Sequence, residues 1–468
     1  MGHKHNKNWS RRRFLGTTSC AAIGATTFLS TLLDLKLANA MATSSFQPPT
    51  NYKSLVCILL AGGNDSFNML VPRGASEYAQ YETIRSSLAL ANNSLLPLNY
   101  TDPNGKQFGV HPAMPEVQQL FNDGNLAFVS NVGTLIEPIN KTQFNNGSNL
   151  PLGLFSHADQ IQQWQTSIPH DRSAIGWGGR MADILQSLNT NQDVSMNISM
   201  SGTNVFQAGN QSVSYSVDPY AGVGKTIYEY NNTNNWWDML RTQAIDSLVD
   251  HTYLNIFEQT YSDVIKNSQA ASNQFNTAIG GITPIVTPFA DNSVSKSFEM
   301  IAKTIAARNT LGVCRQTFFI TFGGWDHHDE VLDNQTAMLG ILSQGLKEFN
   351  DSLVELGVEN DVVTFTTSDF ARTLTSNGNG SDHAWGGNAM VMGNSVNGGT
   401  IYGEYPDLVL DNSLDVGRGS LIPTTSADEY FAELALWLGV SPSDLPIILP
   451  NITNFYSPSS TPPLGFLL

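Results

Sequence analysis

Residues suited to metal chemistry recur just past the apolar runs of this chain. Asp65 follows Ser54–Leu60 and the turn Ala61-Gly62-Gly63. Asp326 and His328 lie in Gly323-Gly324-Trp325-Asp326-His327-His328, after the run QTFFITF. Asp369 closes VVTFTTSD, and Asp382-His383 precede the run AMVMG. Carboxylates and neutral imidazoles are the donors that hold divalent ions. An alternating backbone turns Asp326 and His328 the same way, so both could face one ion. Ser156, in Ser156-His157-Ala158-Asp159, opens a helix, which places its hydroxyl at the end that favours an anion. Each residue also has a plain structural role open to it. Asp65 and Ser156 suit helix caps, Asp369 suits a turn, and Asp382-His383 suit a loop. Recurrence at several strand ends is what favours a site, because open α/β sheets bind ligands beyond the carboxyl ends of their strands.

The elements that must position these residues are legible as periodic segments. Ser54–Leu60 is a continuous apolar run, as expected of a strand buried on both faces. MPEVQQLFNDG reads as a helix ending at Gly124, and Leu126–Gly133 as the next buried strand. A helix runs from Ser156 through Gln165, and another covers about 294–311. The strand QTFFITFGG is followed by a long helix over about 334–357. Val362–Asp369 and Ala389–Gly393 read as strands, and Ala427–Gly439 as a final amphipathic helix. Alternation of strands and helices predicts a three-layer α/β/α sandwich with a mostly parallel sheet. The stretch from about 170 to 290 is rich in Asn, Ser, Gly and Tyr, and is expected to be an insertion or cap beside the sheet. Cys57 and Cys314 lie in apolar runs and are expected to be free thiols.

The first forty residues carry an export signal. Ser10-Arg11-Arg12-Arg13-Phe14-Leu15 fits a twin-arginine pattern, a mildly apolar stretch runs to Leu33, and Ala38-Asn39-Ala40 offers a cleavage site. Residues 1–40 are therefore a signal peptide and 41–468 one domain with an insertion. The expected location is periplasmic or extracellular, with no integral membrane segment after cleavage. The twin-arginine route carries folded proteins, which suits cargo that must acquire a metal first. The chain has a formal charge of −17, and only 13% of its residues are charged. That acidic, polar surface argues against nucleic acid as a partner. A small-molecule ester or a cell-surface polymer is expected instead.

The stretches LLAGGNDSFNMLVP, SHADQIQQWQTS, GWGGRMAD, FGGWDHHDE and TSDFARTLTSNGNGSDHAWGG give the chain a close resemblance to the bacterial family called domain of unknown function 1501. That family resembles the alkaline phosphatase and sulfatase superfamily. The resemblance implies a mostly parallel sheet between helices, two metal ions at the strand ends, and a nucleophile that attacks phosphorus or sulfur. Residue by residue, it implies metal ligands at Asp65, Asp326, His328, Asp369 and His383, and a nucleophile at Ser156. Phe370 stands where the superfamily has a second-metal histidine. One ion, zinc or manganese, is then implied at Asp326, His328 and His383. A second, magnesium or calcium, would have only Asp65 and Asp369. Arg372 and Asn68 lie close enough in sequence to hold a substrate oxyanion, and Asp382 either binds metal or orients its neighbour.

Two functions follow as expectations. One is an exported metal-dependent hydrolase of phosphate or sulfate esters. The other is a non-catalytic exported protein of the same fold that binds a metal, a glycan or a partner surface.

Overall fold

The computed structural model describes residues 51–224, 230, 232–459 and 461–467. The export signal lies outside the described residues. The framework comprises β1 (Lys53–Ala61), α1 (Ala75–Arg85), α2 (Pro115–Asn122), β2 (Leu126–Gly133), α3 (His157–Thr166) and α4 (Trp177–Leu185). It continues with β3 (Asn197–Ser199), β4 (Tyr215–Asp218), β5 (Val223–Gly224), α5 (Trp236–Val249), α6 (Ile256–Gly280) and α7 (Ser293–Ala306). The C-terminal part adds β6 (Arg315–Gly323), α8 (Val331–Leu356), β7 (Val362–Ser368), β8 (Gly387–Met392), β9 (Ile401–Tyr402), β10 (Thr425–Ser426) and α9 (Ala427–Leu438).

These strands form a ten-stranded sheet in the order β9-β2-β8-β7-β1-β6-β3-β4-β5, with β10 also on β2. β1 runs parallel to both β7 and β6, and β3 runs parallel to β6. β8 is antiparallel to β7 and β2. The sheet is thus mixed and largely parallel, with helices on both faces. The two faces follow from side-chain alternation along β1. Val56, Ile58 and Leu60 join one apolar core, with Phe298 and Ile301 of α7 and Leu342 and Leu346 of α8. Leu55, Cys57 and Leu59 join the other, with Trp177 of α4 and Phe431 and Leu434 of α9. Each such fully buried side chain contributes about 1.5–3 kcal/mol. Ser426 and Glu429 form a capping box that starts α9 directly from β10.

The expected insertion over about 170–290 is smaller than its composition suggested. α4 is core, and β3, β4 and β5 extend the main sheet beyond β6. The part that stands apart is α5 with the first half of α6. There Trp236, Trp237, Phe257 and Tyr261 are exposed, whereas Ala271, Phe275 and Ala278 later in α6 are buried. A separate three-stranded sheet (70–72, 96–101 and 107–110) had no clear sequence signal. Cys57 and Cys314 are both free thiols.

Candidate metal centre

The centre forms where four segments end at one edge of the sheet. β1 and β6 are adjacent and in register to Ala61↔Gly323. The turns that follow pack so closely that a Cβ on Gly62 would lie 2.5 Å from the Asp326 amide nitrogen. Gly62 also has a φ of +120°, so glycine is required there on both counts. Buried Trp325 anchors the β6 turn, its amide donating to the Ala61 carbonyl at 3.1 Å. Because β8 is antiparallel to β7, the loop 369–386 leaves and re-enters the sheet at this same edge. It doubles back on itself, pairing Arg372 with His383. α3 supplies the fourth segment, pinned by Trp164 Nε1, which donates to the Asp369 carbonyl at 3.1 Å.

Three histidine Nε2 atoms surround one oxygen, Asp326 Oδ1. His328 lies 3.1 Å from it, His157 3.5 Å and His383 3.7 Å. The Nε2 atoms of His328 and His383 are 3.0 Å apart. Ligand atoms of His157, Asp326 and His383 all lie within 4.8 Å of one another. Two triads therefore share Asp326 and His383.

Each ring is aimed by an oxygen on its other nitrogen. His157 Nδ1 lies 2.7 Å from Asp369 Oδ2, His328 Nδ1 3.2 Å from Asp382 Oδ1, and His383 Nδ1 2.7 Å from the Phe155 carbonyl. With Nδ1 as the donor in each case, Nε2 carries the lone pair, which is the tautomer a metal needs. Phe155 is itself held at a φ of +72°, strained for a residue with a side chain.

Electrostatics favour the donor forms of His383 and Asp326. Burial pushes the His383 pKa down against the pull of the Phe155 carbonyl, keeping the imidazole neutral. Burial pushes the Asp326 carboxyl up, but the hydrogen bond and charge of Arg372 outweigh it, leaving it below the ordinary range. Burial raises Asp369, opposed by its hydrogen bonds from His157 and the Gly62 amide.

The donor set fits one divalent ion. A tetrahedron with donors about 2.0–2.1 Å from its centre has edges of about 3.3 Å; the Asp326, His328 and His383 atoms lie 3.0–3.7 Å apart, and His157 Nε2 stands 3.5 Å from Asp326. His157 Nε2 is buried and has no hydrogen-bond partner among the described residues. A second ion at Asp65 and Asp369 does not fit. Asp65 is fully buried in an ion pair with the equally buried Arg85, the last residue of α1. Asp369 is engaged by His157 and Gly62. Phe370 lines the gap instead, its ring centroid 4.4 Å from His383 and 4.7 Å from His157.

The remaining expected site residues fall as follows. Arg372 is fully buried, and its guanidinium donates to the carbonyls of Gly62, Gly63, Trp325 and Ser381 as well as to Asp326. It aims Asp326 and, fully buried, is closed off from a substrate oxyanion. Asn68 is likewise buried, donating to the Leu88 carbonyl and accepting from the Tyr81 hydroxyl. It belongs to the packing of α1 and not to the centre. Ser156 is the N-cap of α3, its side chain makes no capping hydrogen bond, and both its neighbours reach the centre. His327 turns inward, buried beside Trp325.

His157 was not singled out from the sequence. A cation is disfavoured at a helix N-terminus, so a histidine at the first position of α3 was the available signal for a neutral, liganding ring. Arg85, the partner of Asp65, carried no signal at all.

Among known proteins, the family model described as "Protein of unknown function (DUF1501)" matches residues 52–417. No curated protein matches the sequence. The chain is loosely similar to several solved structures. One is Ps i-CgsB in complex with k-i-k-neocarrahexaose, at 9% identity and a TM-score of 0.35, covering 86% of this chain and 78% of that one. Another is the lipoteichoic acid synthase LtaP from Listeria monocytogenes, at 9% identity and a TM-score of 0.32, covering 87% and 77%. A third is the wild-type alkaline phosphatase PafA, at 13% identity and a TM-score of 0.24, covering 69% and 63%.

Proposed function

Taking as premise that the chain belongs to the DUF1501 family of proteins of unknown function, we propose that it is an exported metal-dependent hydrolase of phosphate or sulfate esters. The observation that carries this is the set of three histidines, each pinned through Nδ1, with their Nε2 atoms gathered on one carboxylate oxygen. Asp326, His157, His328 and His383 are the residues that would hold the ion. Nitrogen-rich donors with one carboxylate suit zinc or manganese. A divalent ion bound there supplies Lewis-acid polarisation and neutralises charge on a substrate oxygen.

The chain's own residues hold and aim. Arg372 fixes Asp326, and Asp369 keeps the His157 Nε2 turned inward. Ser156 is the proposed nucleophile. Its oxygen, at the start of α3, forms the bond to phosphorus or sulfur as the bond to the ester oxygen breaks, its proton passing to the departing alcohol; water then cleaves the seryl ester, releasing phosphate or sulfate and restoring the hydroxyl. The twin-arginine signal confines substrates to a periplasm or cell exterior, as a small-molecule ester or a cell-surface polymer. No helix among the described residues is long and apolar enough to cross a membrane.

A second reading, a non-catalytic protein that binds a metal, a glycan or a partner surface, draws on Phe370 and on the Asp65–Arg85 pair, which remove the second-ion site. Metal analysis and ester assays on the purified mature protein separate the two. The hydrolase reading expects one divalent ion per chain, a lower melting temperature in chelator, and cleavage of an aryl phosphate or sulfate that Ser156→Ala abolishes. A bound ion with no cleavage of any such ester supports the second reading. Unchanged cleavage by Ser156→Ala removes the nucleophile assignment.

A further inference from the structure

α5 and the first half of α6 form a hairpin that turns its apolar side outward. Trp237, Leu240 and Leu248 of α5 are exposed, as are Phe257, Tyr261 and Val264 of α6. The buried positions are polar: Asp238 in α5 and Ser262 in the first half of α6. Asp238 accepts from Arg241 at 3.1 Å and from Asn232 at 3.0 Å, and the Ser262 hydroxyl donates to the Val249 carbonyl at 2.7 Å. Ile245 and Val249 are half-buried. This is the reverse of an ordinary surface helix, whose apolar stripe meets a core.

The exposed residues share one side of the hairpin. At about 100° per residue, Trp237, Ala244 and Leu248 fall within about 40° of one another on α5, and Phe257, Tyr261 and Val264 within about 60° on α6. Asp246 lies half a turn from Trp237, and Lys266 half a turn from Phe257. The polar flanks adjoin, because Lys266 Nζ donates to Asp250, at the end of α5, at 2.7 Å. The apolar flanks therefore adjoin on the other side. Trp236 packs edge-on against Trp237, with ring centroids 4.7 Å apart, and widens that side.

Its size fits a stable association. Trp237, Phe257 and Tyr261 are 69–81% exposed, which leaves about 300–550 Å² of aromatic surface in water. Leu240, Leu248 and Val264 bring the face to roughly the 800 Å² that each partner buries in a stable dimer. The largest apolar patch of an ordinary monomer is about 300–600 Å². Charge then selects the occupant. A helix that lies on a membrane carries lysine and arginine on its polar side. This hairpin sets Asp246, Asp250 and Asp263 against Lys266, in a chain of formal charge −17. A second copy offers an apolar face of the same size and length, and a two-fold axis sets hairpin on hairpin as a four-helix bundle. We propose that this face joins two copies of the chain into a symmetric dimer, each hairpin covering the other.

Sedimentation equilibrium of the mature protein, from about 0.5 to 50 µM, tests this; the proposal expects twice the chain mass, with a Kd in the micromolar range or below. Leu248→Asp and Tyr261→Asp should each raise that Kd about a hundredfold, with circular dichroism unchanged. Val286→Asp, at an exposed apolar residue outside the hairpin, should leave it as it is. If either hairpin variant unfolds, hydrogen exchange of the parent protein decides, with protection across residues 237–264 present in the concentrated sample and lost on dilution. A parent protein that stays monomeric throughout overturns the proposal. So does a dimer that both hairpin substitutions leave intact. A monomer that co-sediments with vesicles of phosphatidylcholine and phosphatidylglycerol assigns the face to a lipid surface and overturns it too. None of these readouts depends on a metal or on ester cleavage.

Discussion

Asp65 and Asp326 leave neighbouring parallel strands through glycine-rich turns, and each meets an arginine. Asp65 ends fully buried against a fully buried Arg85, whereas the Asp326 side chain is 49% exposed and ringed by three histidines. The difference lies in what covers each turn. α1 brings Arg85 over the β1 turn, and the Arg85 guanidinium also donates to the carbonyls of Thr373 and Leu374. The β6 turn is met by the start of α3 and the loop 369–386, which bring imidazoles with free nitrogens. The same strand-end motif thus yields a sealed ion pair on one strand and an open donor set on the next.

Breaking the sealed side should have the largest effect. Arg85→Met leaves Asp65 as an uncompensated buried charge and should destabilise the fold by about 3–5 kcal/mol, measured by urea unfolding. Adding Asp65→Asn should recover much of that loss. A near-neutral Arg85→Met would mean that Asp65 is not sealed. On the open side, Asp369→Asn weakens the oxygen that aims His157. Metal affinity should fall about 10–100-fold, read by competition with a chelator at unchanged circular dichroism. Unchanged affinity would remove His157 from the ligand set.

Titration contrasts the sealed and open carboxyls next. Burial, only partly offset by Ser167 and Arg180, pushes the Asp428 pKa up to about 8. Its folded value is raised, so its contribution to stability is full below the unfolded value of about 3.9 and is lost as pH rises towards 8. Asp326 has the opposite sign, because Arg372 holds its folded value down. Its contribution is present above the unfolded value and is lost as pH falls through the folded one. Urea midpoints of Asp428→Asn at pH 5 and pH 8 should show less decline with pH than the parent protein. An identical decline in both would contradict a neutral Asp428. Phe370→Leu is the mildest probe. Losing two ring contacts should cost about 0.5–1.5 kcal/mol with ion content unchanged, and a change in ion content would make Phe370 part of the binding set.

The sheet was legible where strands are buried on both faces. The runs at β1, β2, β6 and β7 need no partner to be recognised. β3, β4 and β5 were not, because short strands at the far edge of the sheet have no run of apolar residues to mark them. Asp326, His328 and His383 stood out by chemistry, since they lie in loops next to strands that also carry tryptophan and paired glycines. His157 did not, because a lone histidine at a helix start resembles any other capping segment until α3 is placed. The fate of Asp65 depended on a residue twenty positions away, whose side chain turns inward only because α1 packs as it does. Arg372 and Asn68 look polar and available in sequence, yet both are consumed by backbone and neighbouring side chains.

The antiparallel course of β8 makes the loop 369–386 a self-contained excursion from one rim. Both its ends are anchored by strands that pair with each other, while Arg372 and the Thr373 and Leu374 carbonyls tie its first part to the β1 and β6 turns and to Arg85, so the part open to exchange is the stretch after Leu374. The loop carries a proposed ligand, the carboxylates that orient two more, and the ring that lines the absent second-ion site. A graft of the stretch after Leu374 would therefore test how far a new donor set can be installed on an unchanged scaffold.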